Sequence, residues 1–390
     1  MQQTNRLWLC AGLNLLAAVA VFGQADENSA VNFPDKVAWQ LFIEVNTAAA
    51  GSNATFETWA SDTDTFRATP QFPVTPSPLS PHAPIVTTVG LQAIQENGGL
   101  IPQIPPNPAT GEEARRNHTA FDFIVQNNLY RVSGLKAAYG TGLSFPVDAI
   151  EVKANWMPVS VIPTFTNGKV ALADVPKLYH VNTGSDGKQY AMVSMHIISK
   201  LVPNWTWATF EHTMNPGRCD ILGCIDHFGA QSVVVPPSSV ANQGYPVCAK
   251  TPALTALLAK AKWDPAFVNY CLKGSQTDFT DNTGLAVRLG NSVTEAGFVH
   301  QSSCMTCHGR AAFDQNGRAT SGAGFDPNGS APLGPIDPSW YWSFSSKPPI
   351  FEGMPGLKRI GTSADFVWSI PFCAYDDTAS PPKSSRCTGK

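Results

Sequence analysis

The segment Cys304-Met305-Thr306-Cys307-His308 constrains this 390-residue chain more than any other stretch. Two cysteines separated by two residues lie on one helical turn, where their thiols can add across the two vinyl groups of one porphyrin. A histidine directly after the second cysteine places its imidazole at the iron as an axial ligand. The motif therefore predicts one covalently attached haem c, tethered by Cys304 and Cys307, with His308 as the proximal iron ligand.

A C-x-x-C pair on its own also occurs in zinc sites, redox motifs and disulfides. A four-coordinate zinc site would need further ligands, but the sequence contains no second C-x-x-C and no H-x-x-x-H. The histidine that follows Cys307 therefore favours haem. Zinc and a disulfide between Cys304 and Cys307 are the alternatives.

The N-terminal residues predict export. Arg6 precedes an apolar run over residues 7–22, and Gly23-Gln24-Ala25 offers small residues where a signal peptidase cuts. We assign residues 1–25 to a signal peptide. A retained membrane anchor is the alternative, although the run is short for a span of about 20 residues. No other stretch is apolar for long enough, so the sequence predicts no membrane span after signal cleavage.

The nine cysteines fit the same compartment. If Cys10 leaves with the signal and the motif cysteines hold haem, six remain, an even number that predicts three disulfides in an exported chain. Their connectivity is open from sequence alone. Pairing of nearest neighbours predicts bonds Cys219–Cys224, Cys248–Cys271 and Cys373–Cys387. Covalent haem attachment also takes place outside the bacterial cytoplasm, so both uses of sulfur predict a periplasmic or exported protein.

Composition limits the partners. Charged residues make up 14% of the chain, against about a quarter in a typical domain, while Gly 31 and Pro 32 indicate many turns and irregular connections. The formal charge of -3 leaves no basic surface for nucleic acid. We therefore expect redox partner proteins and, as an alternative, a small-molecule substrate.

Periodicity predicts an α+β fold with two regions. We expect residues 26–245 to form an α+β region with packed helices and a small antiparallel sheet, and residues 246–390 to form a mainly helical, cytochrome c-like haem region. Helical patterns cover residues 35–50, 117–139 and 252–261. Strand patterns cover residues 149–157, where apolar and polar side chains alternate, the hairpin 179–200, and the segment 204–213.

Residues 300–372 resemble the haem domain of class I c-type cytochromes. They combine the C-x-x-C-H motif with a Met354-Pro355 pair in a loop and with the segment 365–370, which matches that family's closing helix. The resemblance implies Met354 as the distal iron ligand, and Met/His ligation favours electron transfer. Packing is the alternative role of Met354. The upstream region, with its pattern of Trp39, Glu151, Trp156, His196 and Trp205-Thr-Trp207, is similar to large periplasmic cytochrome c family proteins of uncharacterised function.

An electron-transfer domain needs only about 100 residues around one haem, so most of this chain serves another purpose. Our main hypothesis is an exported monohaem cytochrome c acting in periplasmic electron transfer. The alternative is a haem-dependent oxidoreductase, peroxidase-like or oxygenase-like, that acts on a small molecule. A third hypothesis treats the large N-terminal region as a docking module for a partner or ligand.

A haem enzyme needs an acid or base beside the iron. The candidates in the middle of the chain are Glu151, Lys153, His196, Glu211 and His212. Glu211 and His212 are the first choice as catalytic residues, because adjacent side chains can combine a proton carrier with a group that orients it, and His196 is the third catalytic candidate. Each has a structural role as its alternative. His300 is a further candidate for an iron ligand or a propionate partner.

Overall fold

The computed structural model describes residues 25–49, 53–82, 109–235, 245–320, 331–344, 357–383 and 387. Nearly all of the expected signal peptide, and Met354, lie outside these residues. Within them the helices are α1 (Glu27–Asn32), α2 (Pro34–Asn46), α3 (Asp62–Thr65), α4 (His118–Gln126), α5 (Val132–Ala138), α6 (Ile162–Phe165), α7 (Val175–Leu178), α8 (Pro252–Leu258), α9 (Cys304–Gly309) and α10 (Ser369–Cys373). The strands are β1 (Ala60–Ser61), β2 (Gly111–Arg116), β3 (Ile150–Pro158), β4 (Val181–Thr183), β5 (Gln189–Ser199), β6 (Thr206–His212), β7 (Tyr270–Gln276), β8 (Ala312–Phe313), β9 (Trp342–Phe344), β10 (Leu357–Arg359) and β11 (Thr362–Ser363).

One seven-stranded antiparallel sheet organises the fold. Its order is β1-β2-β3-β5-β6-β7, and β4 pairs with β5 outside this path. The expected small sheet with a separate, mainly helical region 246–390 is wrong. Strand β7 comes from that region and pairs with β6, and the helices around the C-x-x-C-H motif are short, with 6 residues in α9 and 5 in α10. The pairing of β7 joins segments about 60 residues apart in sequence, and local periodicity does not report such pairings.

One face of the sheet is apolar and packs against α2. Pro34 begins this helix at a position where its missing N–H costs nothing, and the apolar side chains then follow at helical spacing. Phe42 stacks on Phe210 of β6 with ring centroids 4.3 Å apart, and Trp39 meets the same ring at 5.0 Å. Strand β3 contributes Val152, Ala154 and Trp156 to this core, as its alternation predicted.

The opposite face of the sheet carries polar side chains that are nevertheless buried. Across the strands, Lys153 lies opposite His196, and His196 lies opposite Thr209. One register step further, Asn155 pairs with Ser194, which lies opposite Glu211. Because burying polar groups is unfavourable unless they find partners, this face needs a polar cover. Residues 289–309, which lead into and include α9, supply it.

Other local predictions hold with adjusted limits. The hairpin forms as β4 and β5, and residues 252–261 contain α8. The predicted helix over residues 117–139 exists as two helices, α4 and α5, because the chain turns at Asn128, whose φ is +58°. The segment 365–370 is not a closing helix over its length. Asp365 and Phe366 have left-handed φ angles of +48° and +72°, so α10 begins only at Ser369.

The three disulfides join Cys219 to Cys224, Cys248 to Cys271, and Cys373 to Cys387. The pairing of nearest neighbours is therefore confirmed. Within the described ranges, every helix is too short or too polar to cross a bilayer.

A buried histidine links three segments of the chain that are far apart in sequence. His180, which is 2% exposed, has Nδ1 2.8 Å from Asp264 Oδ2 and Nε2 3.1 Å from Glu57 Oε1. Burial alone would lower the pKa of His180, but the hydrogen bonds with the two carboxylates outweigh it and raise the pKa to about 9. The ring is therefore a charged imidazolium held between two anions.

This arrangement predicts stability that depends on pH. The folded pKa of His180 lies above the ordinary value of about 6.5, so its contribution is complete below pH ~6.5 and is lost as the pH rises to about 9. We expect this to remove on the order of 3 kcal/mol from the free energy of unfolding over that window. Urea unfolding at several pH values measures it. His180→Gln should lose this pH dependence, and His118→Gln, at an exposed histidine, should keep it. Identical pH profiles for wild type and His180→Gln would contradict the assignment.

Candidate functional site

The motif helix α9 is anchored to the sheet at its N-terminus. Ser303 caps the helix, and Gln276 at the end of β7 donates Nε2–H to Ser303 Oγ over 2.9 Å. Gln276 Oε1 also accepts the backbone N–H of Met305 at 3.2 Å. Met305 itself is fully buried in a hydrophobic cluster that also contains Trp207 and Phe366. The sheet therefore fixes the position of the first cysteine.

The two motif cysteines form no disulfide, whereas the other six cysteines of the described residues are paired. Cys304, Cys307 and His308 are only half-buried, although they lie deep in the protein. Their accessible surface faces a cavity whose empty space, including its mouth, is about 1120 Å³. Both thiols and the imidazole thus border one shared cavity.

The imidazole of His308 has a fixed orientation. Its Nδ1–H donates to the backbone carbonyl of Phe366 over 2.8 Å, and its ring lies against Trp207 of β6 with centroids 4.7 Å apart. A hydrogen bond from one ring nitrogen to a carbonyl leaves the other nitrogen, Nε2, as the lone-pair donor. Burial lowers the pKa of His308 to about 3, so the ring is neutral. A neutral imidazole with a free Nε2 is the form that binds iron.

A buried ion pair holds the carbonyl that binds His308. Asp365 precedes Phe366, and its Oδ1 accepts Lys200 Nζ at 2.7 Å while Oδ2 accepts the backbone N–H of Phe145 at 2.7 Å. Both charged side chains are 7% exposed. Left-handed φ angles at two non-glycine residues cost about 1–2 kcal/mol each. These contacts therefore stabilise a strained turn that points the Phe366 carbonyl at His308.

The cavity wall on the sheet side carries ionisable groups. Lys153 and His196 reach it from β3 and β5, and Glu295 reaches it from the segment that covers the polar face. His196 Nε2 accepts Asn291 Nδ2–H at 3.0 Å and lies 3.5 Å from Glu295 Oε1. Burial lowers the pKa of His196 well below 6.5, whereas burial raises the pKa of Glu295 to about 7 against the opposing charge of Lys153.

The remaining cavity lining is mostly apolar. Ile198, Trp207, Leu289, Phe298, Trp368 and Phe372 supply most of it. A flat, largely hydrophobic macrocycle needs such a surface, because apolar contact area provides the main binding free energy. The lining therefore suits a porphyrin better than a bare metal ion.

The three catalytic candidates from the sequence fall in different places. His196 borders the cavity, but Glu211 and His212 do not. Glu211 is fully buried, where it accepts the N–H and hydroxyl of Ser292 and lies 3.1 Å from Lys273 Nζ. His212 points to the other side of the strand, since successive residues alternate between faces. Its Nε2–H donates to the Leu178 carbonyl, and burial lowers its pKa to about 3.

The other candidate residues from the sequence also lie in different places. Glu151 borders the cavity and pairs with Arg116, and Lys153 lies beside it on the same face of β3. His300 lies outside the cavity lining, and its Nε2 is buried without a hydrogen-bond partner among the described residues. Met354 falls outside the described residues.

Two site residues escaped sequence reasoning. Glu295 follows Asn291 in an irregular segment, and Asp365 belongs to a segment interpreted as a helix. The spacing of Asn291 and Glu295 was the available signal, because the Glu295 carboxylate accepts the N–H of Asn291 over 2.6 Å and closes a local turn. Nothing in the local sequence shows that Lys200 pairs with Asp365, 165 residues away.

The donor atoms do not converge as they would on a single metal ion. Within the described residues, one group of three potential metal ligands has its donor atoms within 4.8 Å of one another. It consists of Asp62, Cys373 and Cys387. Those two sulfurs form a disulfide and are not thiolates, so this group is unsuitable for a metal. Cys304, Cys307 and His308 form no such compact group. All three nevertheless border the same cavity.

Comparison with known proteins assigns no relative. No protein-family model matches the chain, and neither a curated protein nor a solved structure is detectably similar to it.

Proposed function

We propose that this protein is an exported monohaem c-type cytochrome that transfers electrons through one covalently bound haem. The observation that carries the proposal is the shared cavity. Two thiols that are not in disulfides and an imidazole with a fixed tautomer face it together, within the C-x-x-C-H motif. Cys304 and Cys307 would hold the porphyrin through thioether bonds, and His308 would bind the iron. When bound, the haem supplies a centre that accepts and releases one electron.

The residues around the motif support this role by what they do themselves. The Phe366 carbonyl holds the proton of His308 at Nδ1 and so presents Nε2 to the cavity. Trp368 donates its Nε1–H to the Cys307 carbonyl over 3.0 Å, which fixes the backbone at the second motif cysteine. The apolar wall excludes water, and a low-dielectric surrounding favours the state of lower charge.

The disulfides support an extracytoplasmic location. Disulfides persist in oxidising compartments such as the bacterial periplasm and are rare in the cytosol. The proposed signal peptide and the pathway of covalent haem attachment fit the same compartment. We propose the periplasm as the site of action and a soluble redox protein as the partner.

The test is to produce the full chain in a bacterial host that attaches haem c in its periplasm. We expect the purified protein to carry one haem that survives denaturation, and its pyridine haemochrome band to indicate two thioether bonds. Potentiometric titration should then give a single reversible one-electron step. A protein that matures normally, with three disulfides, but carries no covalent haem would contradict the proposal. Stoichiometric zinc on the same thiols would favour the alternative role.

A further inference from the structure

Three ionisable side chains meet on the wall of the haem cavity that belongs to the sheet. Lys153 and His196 are direct neighbours across β3 and β5, and Glu295 comes from the covering segment. Buried ionisable groups rarely improve stability over apolar residues of similar size. Their presence beside the motif thiols therefore calls for a use other than packing.

The hydrogen bonds around these three side chains give them different roles. Asn291 Oδ1 accepts the N–H groups of Val293 and Thr294, so its Nδ2–H must face His196 Nε2. His196 Nε2 is thus a hydrogen-bond acceptor and offers no proton at that atom. Glu295 Oε2 is occupied by the N–H of Asn291, whereas Oε1 lies 3.5 Å from His196, beyond the usual range of about 2.7–3.2 Å. The Glu295 carboxyl is consequently the proton carrier with a free oxygen.

Charge around the cavity selects the kind of ligand. Four carboxyl groups border it, from Asp62, Glu112, Glu151 and Glu295, and Lys153 is the one lysine or arginine among the described lining residues. Arg116 neutralises part of this charge by pairing with Asp62 and Glu151. Lys153 is itself 3.5 Å from Glu112. Small anions such as nitrite would meet repulsion here, whereas a small neutral molecule would not.

We propose that the haem cavity is also a site for hydrogen peroxide, with Glu295 as its proton donor and Lys153 as the group that stabilises charge on the departing oxygen. This inference rests on the proposed haem attachment. The reaction breaks the O–O bond of one peroxide and forms two waters. Two protons are consumed, and two electrons come from two molecules of the reduced protein, which become oxidised.

The electrostatic setting fits this assignment. Glu295 faces Lys153 of β3, Lys273 of β7 and Glu211 of β6, and its burial raises its pKa to about 7. A general acid works best when its pKa is near the working pH. Burial lowers the pKa of Lys153, but Glu112 and Glu295 outweigh this and raise it, so the lysine stays charged.

The test uses the haem-loaded full chain and begins with its haem content, so that failed haem attachment is recognised separately. The reduced protein should bind carbon monoxide, and half an equivalent of hydrogen peroxide should oxidise it completely. Glu295→Gln should slow this oxidation about 100-fold, because general acids contribute at least that factor. Glu295→Asp should retain most of the rate.

A second readout is independent of the reaction. The infrared stretch of bound carbon monoxide responds to nearby charge and hydrogen bonds, so Lys153→Met and Glu295→Gln should both shift it. Glu44→Gln, at an exposed residue of α2, is the control and should shift neither quantity. Haem-loaded protein that binds no carbon monoxide, or an unchanged rate and stretch in both variants, would overturn the inference while leaving electron transfer intact.

Discussion

Replacing both Cys304 and Cys307 by alanine should abolish covalent haem attachment. The two thiols border one cavity, and among the described cysteines they alone are not in disulfides. Each single variant should keep one bond, with a shifted pyridine haemochrome band. Haem staining after denaturing electrophoresis and intact mass give the measurement. In the wild type, both thiols should resist thiol reagents once haem is attached.

The matched control removes two other cysteines. Changing Cys219 and Cys224 to alanine deletes a disulfide distant from the motif in sequence but leaves both motif thiols in place. That variant should be less stable and still carry haem. If the Cys304→Ala/Cys307→Ala protein retained haem through denaturation, the motif would not be the attachment site.

Lys200→Met should destabilise the protein by about 3–5 kcal/mol, because it leaves Asp365 buried without its cation. The pair also supports the turn whose Phe366 carbonyl receives the Nδ1–H of His308. A carbonyl at that position raises the basicity of the imidazole. Weakening this contact should therefore raise the reduction potential of the haem protein. Urea unfolding and potentiometry measure the two effects.

A double-mutant cycle separates charge from geometry. Asp365→Asn added to Lys200→Met removes the uncompensated carboxylate, so the double variant should recover part of the lost stability. Lys188→Met, at an exposed lysine, is the control and should change neither stability nor potential. A Lys200→Met protein with wild-type stability would show that the pair contributes nothing to the turn.

The sequence predicted the parts of this molecule that depend on local pattern. The alternation in β3, the hairpin β4–β5 and the helix α2 each place one side chain every two or every 3.6 residues on a common face, and that period is visible in the chain. The disulfides also follow from short separations, because nearby cysteines meet most readily. The motif Cys304 to His308, which is visible in the sequence, forms one wall of the cavity.

The features that the sequence did not predict depend on contacts between segments that are far apart in the chain. Strand β7 joins the sheet beside β6 only because the chain returns to it, so the sheet has seven strands and the region after residue 246 is not mainly helical. The same reason explains the catalytic candidates. Glu211 and His212 are adjacent in sequence, but a strand turns them to opposite faces, whereas Glu295 and Lys153 meet at one cavity from segments far apart.

The position of the motif helix sets an order for the biogenesis of the protein. The helix lies between the polar face of the sheet and the segment 364–373, which contacts it through the Phe366 carbonyl and Trp368. The Cys373–Cys387 bond also borders the cavity and closes the end of that segment. If haem is attached as proposed, the porphyrin must arrive before this last segment docks. Oxidation of Cys373 and Cys387 before haem attachment would then close this segment over an empty cavity, so under this proposal disulfide formation and haem attachment would compete during maturation.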